Sequence, residues 1–334
     1  MLRWFGAHAR DLPWRRTRDP YKIWISEIML QQTQVDTVIP YYEKWTAQFP
    51  TVEALAGADI EVVMQHWAGL GYYRRARMLH ETAKILIEKF DGALPPHVEA
   101  LKNLPGIGKY TAGAIASIAF GQRAPLLDGN VMRILTRIHA MDLDITKPKT
   151  LKELWKLSES LIPGREPGDF NQSMMELGAT ICLPENPRCG KCPVKVHCVA
   201  HSEKRETDYP VKGRREASIN KTTAALVCWR DKEVLIQRQP KEGRWGGLWM
   251  FPHWENEKTL VKATGLRPPQ LKKKMTVQHC FTKYRIQLEV FESLLPYRPP
   301  IATESRWVRM ELLANYAFPS PHQKIVKELL VRGR

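Results

Sequence analysis

Between Tyr21 and about Cys198 the apolar residues return at intervals of three and four, broken by turns marked with Pro and Gly, which predicts a series of helices each with one buried face. Trp24, Ile28, Val35 and Val38 form one such stripe. Farther along the period shortens to two. Ala225-Leu226-Val227-Cys228-Trp229 and Val234-Leu235-Ile236 flank Arg230-Asp231-Lys232-Glu233 as the arms of a β-hairpin would. Ile286, Leu288 and Val290 alternate with Arg285, Gln287 and Glu289, as in a strand with one buried face. Residues 321–330 read as a closing amphipathic helix, and the polar, charge-dense stretch 201–219 reads as a linker. The pattern predicts a mainly α domain over residues 1–200 and an α+β domain over 220–334, and two cores suit a chain of 334 residues. No internal repeat is visible.

Composition sharpens this picture in two ways. Hydrophobic residues at 43% and charged residues at 26%, with no long apolar run, predict a globular protein outside the membrane. The first residues, Met1-Leu2-Arg3-Trp4-Phe5, lack a secretory h-region, so the cell interior is the expected location: the cytoplasm in a bacterium, the nucleus or an organelle in a eukaryote. A monomer is expected. Fifty-one Lys and Arg against 35 Asp and Glu give a formal charge of +16, which favours a polyanionic partner, although charge alone also serves solubility.

Four of the six cysteines crowd into Cys182-x6-Cys189-x2-Cys192-x5-Cys198, a distribution that argues against a disulfide framework. Four thiols in so short a loop suit zinc or an iron–sulfur cluster. Structural zinc sites usually fall into two CxxC pairs, and here only Cys189 and Cys192 form one.

Two further motifs bear on chemistry. Leu104-Pro105-Gly106-Ile107-Gly108-Lys109-Tyr110 places Gly106 and Gly108 in a tight turn before a helical run, where backbone N–H groups could approach a phosphate; an ordinary helix-to-helix turn has the same look. Glu27 lies inside the apolar segment Ile25-Ser26-Glu27-Ile28-Met29, where desolvation would let it hold a proton near neutral pH. Asp128, in Leu127-Asp128-Gly129-Asn130-Val131, directly precedes a helical run whose N-terminus would favour its ionised form. Glycosidic bond cleavage needs such a pair, one acid to donate and one to face a cationic sugar. A solvated Glu27 and a merely N-capping Asp128 are the plain alternatives.

In order along the chain, Leu12-Pro13-Trp14-Arg15, Ser26-Glu27-Ile28-Met29-Leu30-Gln31-Gln32-Thr33-Gln34-Val35, Trp67-Ala68-Gly69-Leu70-Gly71-Tyr72-Tyr73, the Pro105–Tyr110 turn, Leu127-Asp128-Gly129-Asn130-Val131 and the cysteine spacing resemble the MutY family of adenine DNA glycosylases, within the endonuclease III superfamily. The resemblance implies a helix-hairpin-helix glycosylase domain that holds DNA in a cleft, with one [4Fe-4S] cluster on Cys182, Cys189, Cys192 and Cys198. It implies that Glu27 protonates adenine N7, that Asp128 stabilises or captures the sugar cation, and that Tyr110 and Asn130 assist. It also implies double-stranded DNA with adenine opposite 8-oxoguanine or guanine as the partner. Trp14 and Arg15 match residues near the adenine pocket, and Gln31, Gln32, Leu70 and Tyr72 match the stretches that push into the duplex around an extruded base. Bifunctional members of the superfamily carry a lysine where this chain has Tyr110, and a phenol cannot form a Schiff base, so a monofunctional enzyme is expected. Lys109 is displaced by one residue, about 100° around a helix.

Gly243-Arg244-Trp245-Gly246-Gly247-Leu248-Trp249 resembles the opening of a Nudix-like fold, but Lys258-Thr259-Leu260-Val261-Lys262-Ala263 stands where the magnesium-binding carboxylates would be, so no pyrophosphatase is expected. The resemblance implies a domain that reads 8-oxoguanine, through a loop that usually runs Phe-Ser-His and here runs Phe281-Thr282-Lys283. Lysine in place of a flat imidazole leaves open a shifted lesion preference. A damaged-DNA binding protein without catalysis is the remaining alternative.

Overall fold

The computed structural model describes residues 1–213, 217–240, 242–243, 245–281, 283–294 and 304–332. Thr282, the side chain of Phe281 and residues 214–216 of the expected linker lie outside it. By packing, the chain divides into two units, Met1–Ala58 with Met78–Arg215, and Asp59–Arg77 with Glu216–Arg334.

Twelve helices in the first two thirds of the chain realise the three-and-four periodicity: α1 (Leu2–His8), α2 (Pro20–Leu30), α3 (Val35–Gln48), α4 (Val52–Ala56), α5 (Ile60–Trp67), α6 (Arg74–Phe90), α7 (Val98–Lys102), α8 (Lys109–Ile118), α9 (Gly129–Ile138), α10 (Pro148–Leu161), α11 (Pro167–Thr180) and α12 (Val199–Ser202). Local chemistry sets their ends. Asp19 caps α2 by accepting from the Tyr21 N–H with Pro20 at the first helical position, and Asp128 caps α9 by accepting from the Val131 N–H. α8 is buried from Thr111 to Ile118 and built from small residues, so its neighbours approach closely. A Cβ on Gly113 would lie 2.0 Å from the Pro125 carbonyl, and one on Gly168 2.5 Å from that of Ser117. Residues 201–213 of the expected linker are fixed to this unit. Tyr209 is buried, its carbonyl accepts from Arg137 Nε at 3.2 Å, and the Val211 carbonyl accepts from the Ile145 N–H at 3.0 Å. Among the described residues no helix is long and apolar enough to cross a membrane.

The second unit centres on one sheet of β1 (Ile219–Arg230), β2 (Glu233–Arg238), β3 (Trp249–Met250), β4 (His253–Trp254), β5 (Lys272–Phe281), β6 (Tyr284–Ser293) and β7 (Ser305–Arg309), with α13 (Glu257–Thr264) and α14 (Ser320–Arg332). Its order is β3-β2-β1-β6-β5, with β4 on β1 and β7 on β2. The hairpin of β1 and β2 turns through Asp231 and Lys232, Asp231 adopting φ 55°. β1 runs parallel to β6 and β6 antiparallel to β5. Both faces of β1 are covered, which explains its continuous apolar run: Ala225 and Val227 share a core with Ile325, Val326 and Leu329 of α14, while Ala224, Leu226 and Cys228 pack with Leu260 of α13. α13 exposes Lys258 and Lys262.

Candidate active site

A cavity of about 550 Å³ opens in the helical unit, of the size that takes a small molecule. Glu27 of α2, Tyr110 at the start of α8, and Asp128 and Asn130 at the start of α9 all line it, as do Trp14, Arg15, Gln31 and Gln32. The two carboxylates that the sequence singled out, about a hundred positions apart, thus border one space.

The Tyr110 hydroxyl donates to Glu27 Oε2 at 2.7 Å and contacts Met175 Sδ at 3.2 Å. Burial pushes Glu27 up to about 7, against the Tyr110 hydrogen bond and the Arg15 charge that lower it and with the Asp128 charge that raises it. Burial next to Glu27 and Asp128 also carries the Tyr110 phenol well above its ordinary value. Asp128 departs from expectation. Its Oδ1 accepts from the Val131 N–H at 2.7 Å and its Oδ2 from Asn130 Nδ2 at 2.9 Å, both of which favour the anion, yet burial outweighs them and raises its pKa too. Desolvation here exceeds the helix-end effect that would favour the anion.

Residues that periodicity did not flag hold this arrangement. Glu176, fully buried on α11, takes Arg10 Nε and Nη2 at 2.8 Å each and Arg15 Nη2 at 2.8 Å. Burial alone would raise its pKa, but the two guanidiniums together prevail and bring it down to about 2. Arg15 also donates to the Arg10 carbonyl and lies over the Phe5 ring at 5.2 Å. Arg133 donates from Nη2 to Asn130 Oδ1 and to the Gly178 carbonyl, both at 2.8 Å, and from Nε to the Cys182 carbonyl at 2.7 Å, so one buried side chain joins the Asp128–Asn130 pair to the cysteine loop. Gly178 is where α11 meets α9, and a Cβ there would stand 2.4 Å from Asn130 Cβ. Gly178→Ala is therefore expected to displace Asn130, costing about 1–3 kcal/mol and at least about tenfold in base excision. Calorimetry together with single-turnover kinetics checks this, and a wild-type rate with an unchanged melting temperature would contradict it. The available sequence signal was Arg133 and Arg137 four apart on the inward face of α9; Glu176 had none, because its partners lie more than 160 positions away.

Other predicted residues find distinct settings. Trp14 is buried edge-on to Tyr42, Gln31 donates to Thr111 Oγ1 at 3.3 Å, and Gln32 adopts φ 57°. Gly106 adopts φ 78°, and a Cβ on it would press on Met78 Cβ at 2.9 Å, so the turn demands glycine. Gly108 precedes α8 with open space around it, which leaves the helix N-terminus approachable. Lys109 rests its ammonium on the Trp155 ring at 4.0 Å and does not line the cavity. Leu70 and Tyr72 belong to the second unit; Leu70 is buried, whereas Tyr72 is 47% exposed with φ 46°. The Lys283 carbonyl accepts from the Ile219 N–H at 2.7 Å.

Cys182, Cys189, Cys192 and Cys198 border one small cavity with Arg137, His201 and Glu206. Among the described residues Cys189, His201 and Glu206 offer ligand atoms that all lie within 4.8 Å of one another. Arg137 donates to Cys182 Sγ at 3.3 Å, to the Leu183 carbonyl at 2.7 Å and to the Pro184 carbonyl at 3.0 Å, fixing the start of the loop.

Residues 25–160 match the HhH-GPD superfamily of base excision DNA repair proteins, and residues 223–328 match the NUDIX domain. The helical part is similar to a thermostable thymine-DNA glycosylase, 33% identical with a TM-score of 0.56 over 60% of this chain and 93% of that one. It shares its fold with endonuclease III in a non-covalent DNA complex, 24% identical with a TM-score of 0.52 over 60% and 92% of the two chains. The molecule is thus a helix-hairpin-helix DNA glycosylase joined to a Nudix-like domain. Over 98% of its length it is 34% identical to the adenine DNA glycosylase of Homo sapiens, 72% of which is covered, and 33% identical to that of Buchnera aphidicola subsp. Acyrthosiphon pisum, 95% of which is covered. The chain belongs to the adenine DNA glycosylase family.

Proposed function

We propose that the protein hydrolyses the N-glycosidic bond of adenine mispaired with 8-oxoguanine or guanine in double-stranded DNA, and that it is monofunctional, leaving an abasic site. The meeting of Glu27, Tyr110, Asp128 and Asn130 around one cavity carries this reading. With a pKa of about 7, Glu27 is protonated in a large share of molecules at neutral pH and gives that proton to N7 of an extruded adenine, weakening the bond to the sugar. Tyr110 holds one carboxyl oxygen and leaves the other for the transfer. As adenine departs with that proton, Asp128, oriented by its bonds from the Val131 N–H and Asn130 Nδ2, steadies or captures the positive charge on the sugar as a carboxylate. Glu27, now ionised, takes a proton from the incoming water, and the hydroxyl completes hydrolysis. The absence of a cavity-facing lysine at position 110 and the seating of Lys109 on Trp155 support a glycosylase without a Schiff-base step.

In the same reading, Cys182, Cys189, Cys192 and Cys198 would hold one [4Fe-4S] cluster, which would supply iron–thiolate cross-links to the loop. Base excision from DNA is supported by the family match and by the formal charge of +16; the Nudix-like domain, whose α13 carries the single acid Glu257 beside Lys258 and Lys262 instead of a cluster of carboxylates, suits reading of 8-oxoguanine rather than hydrolysis. The test incubates the protein with duplexes carrying adenine opposite 8-oxoguanine, adenine opposite guanine, and thymine glycol, each divided between alkali and no alkali. Nicking at adenine that depends on alkali is the expected result. Cleavage without alkali would restore the lyase alternative, preference for a different pair would implicate Lys283 in a shifted specificity, and binding without product would leave only a damage-binding protein.

A further inference from the structure

The segment Asp59–Arg77 is distant in sequence from the Nudix-like domain yet belongs to the same unit. Several ties hold it there: Gln65 Nε2 donates to the Asn315 carbonyl, Arg77 Nη1 donates to the Gly246 carbonyl, and Glu61 pairs with Arg238 at 3.2 Å. The centre of the attachment is Tyr73. Its buried hydroxyl donates to the Phe318 carbonyl at 2.7 Å and accepts from the Gly69 N–H at 3.3 Å.

That N–H begins a turn with few ways to relax. Gly69 and Gly71 take φ 111° and 69°, and Tyr72 takes φ 46°, a region costly for a residue with a Cβ. Arg75 Nη2 donates to the Leu70 and Gly71 carbonyls at 3.1 and 3.2 Å, with its guanidinium 5.0 Å from the Trp67 ring and 5.7 Å from that of Tyr72. Trp67 Nε1 donates to the Gly71 carbonyl at 3.0 Å. The product is a stiff turn that holds one large aromatic ring out to solvent, and on a DNA-binding protein such a ring is a stacking surface for a base.

On the other side of Phe318 runs a line of rings in contact. Phe318 stacks on Phe251 at 5.6 Å, Phe251 on His322 at 6.0 Å, His322 meets Trp245 at 6.0 Å, and Trp245 meets His279 at 6.0 Å. The Phe251 N–H donates to His322 Nδ1 at 3.2 Å, fixing that imidazole in the line. His279 lies on β5, two residues before the strand ends at Phe281.

We propose that Tyr73 is a positioning residue through which the Nudix-like domain sets the Tyr72 turn, and that the rings from His279 to Phe318 transmit engagement of the opposite base at the end of β5 to it. The inference rests on the reading that this domain recognises 8-oxoguanine. If the domain docks on that base and not on guanine, removing the tie should harm one substrate and spare the other. Packed rings pass on displacements because a dense interior shifts as a body.

Single-turnover excision is measured for the full chain, Tyr73→Phe, Trp245→Phe and the double variant on adenine opposite 8-oxoguanine and opposite guanine, each rate corrected for the active fraction given by its burst amplitude. Tyr73→Phe keeps the ring and deletes both hydrogen bonds, so a loss of about tenfold is expected on the 8-oxoguanine pair and less than about twofold on the guanine pair. Trp245→Phe should act in the same direction, and the double variant should be no worse than the stronger single one. Equal losses on both pairs, an unchanged preference in Tyr73→Phe, or effects of the two substitutions that simply multiply would each overturn the inference while leaving the function intact. A wild-type chain that treats the two pairs alike overturns the parent reading and this inference with it.

Discussion

Glu27→Gln is expected to abolish adenine excision, lowering the single-turnover rate by about 10²–10⁴-fold, while mismatch binding survives and the protein becomes harder to melt. The two effects share one cause. Buried beside Asp128, Glu27 has a folded-state pKa of about 7 against an ordinary 4.5. Below pH 4.5 both folded and unfolded chains carry the proton. Between 4.5 and 7 the unfolded chain releases it and the folded chain keeps it, so stability falls as the pH rises through that window, and above 7 the whole cost of burying the anion is present. The gap is worth about 3 kcal/mol at most. Glutamine still accepts from the Tyr110 hydroxyl and carries no charge, so at pH 8 part of that cost is recovered, which corresponds to about 2–4 °C in melting temperature per kcal/mol. The same pKa requires wild-type excision to decline above pH 7 as the acid loses its proton. Calorimetry at pH 8, binding to an adenine mismatch and a pH–rate profile test the three statements. Near-normal turnover would remove Glu27 from the mechanism, and a lower melting temperature would contradict the burial argument.

Glu176→Ala should have the largest effect on folding. It leaves Arg15, which is mostly buried, and Arg10, 38% exposed, without the carboxylate that joins them, and breaking a buried ion pair from one side costs about 3–5 kcal/mol. The wild-type signature is opposite in sign to that of Glu27. Because the folded-state pKa of Glu176 lies near 2, its contribution is complete above pH 4.5 and disappears as the pH falls from there toward 2. Arg15 also lowers the pKa of Glu27 by its charge. Freed from Glu176 it should do so more strongly, moving the alkaline decline of excision to lower pH in whatever fraction of Glu176→Ala remains folded. Denaturant titration measures the first effect and the pH–rate profile the second. A loss below about 1 kcal/mol with an unmoved profile would show that the triad neither holds the fold nor tunes the acid.

The features legible in the sequence are those encoded within a few residues. The Pro105–Tyr110 turn, the cap at Asp128, the hairpin around Asp231 and the spacing of the four cysteines are local, and each is formed as its residue types require. The parts that were not legible depend on long loops closing. Glu176 reads as an ordinary helix residue until Arg10 and Arg15 arrive from the far end of the chain, and Arg133 and Arg137 look like surface charges until the cysteine loop wraps over them. The period-of-three pattern assigned α5 to a helix correctly but could not show that its packing partners come after residue 216. Asp128 shows a different limit. Sequence discloses that a carboxylate caps a helix, but the depth of its burial, which decides the direction of its pKa, is a property of the whole fold.

The outermost strand of the sheet, β5, opens with three consecutive exposed lysines, and its pairing with β6 slips by one residue between Lys273 and Met275. A free margin of backbone amides and carbonyls invites another chain to dock along it, and closely spaced ammonium groups together with a kink in the ladder spoil that template. Addition of a further strand along this border is thereby discouraged.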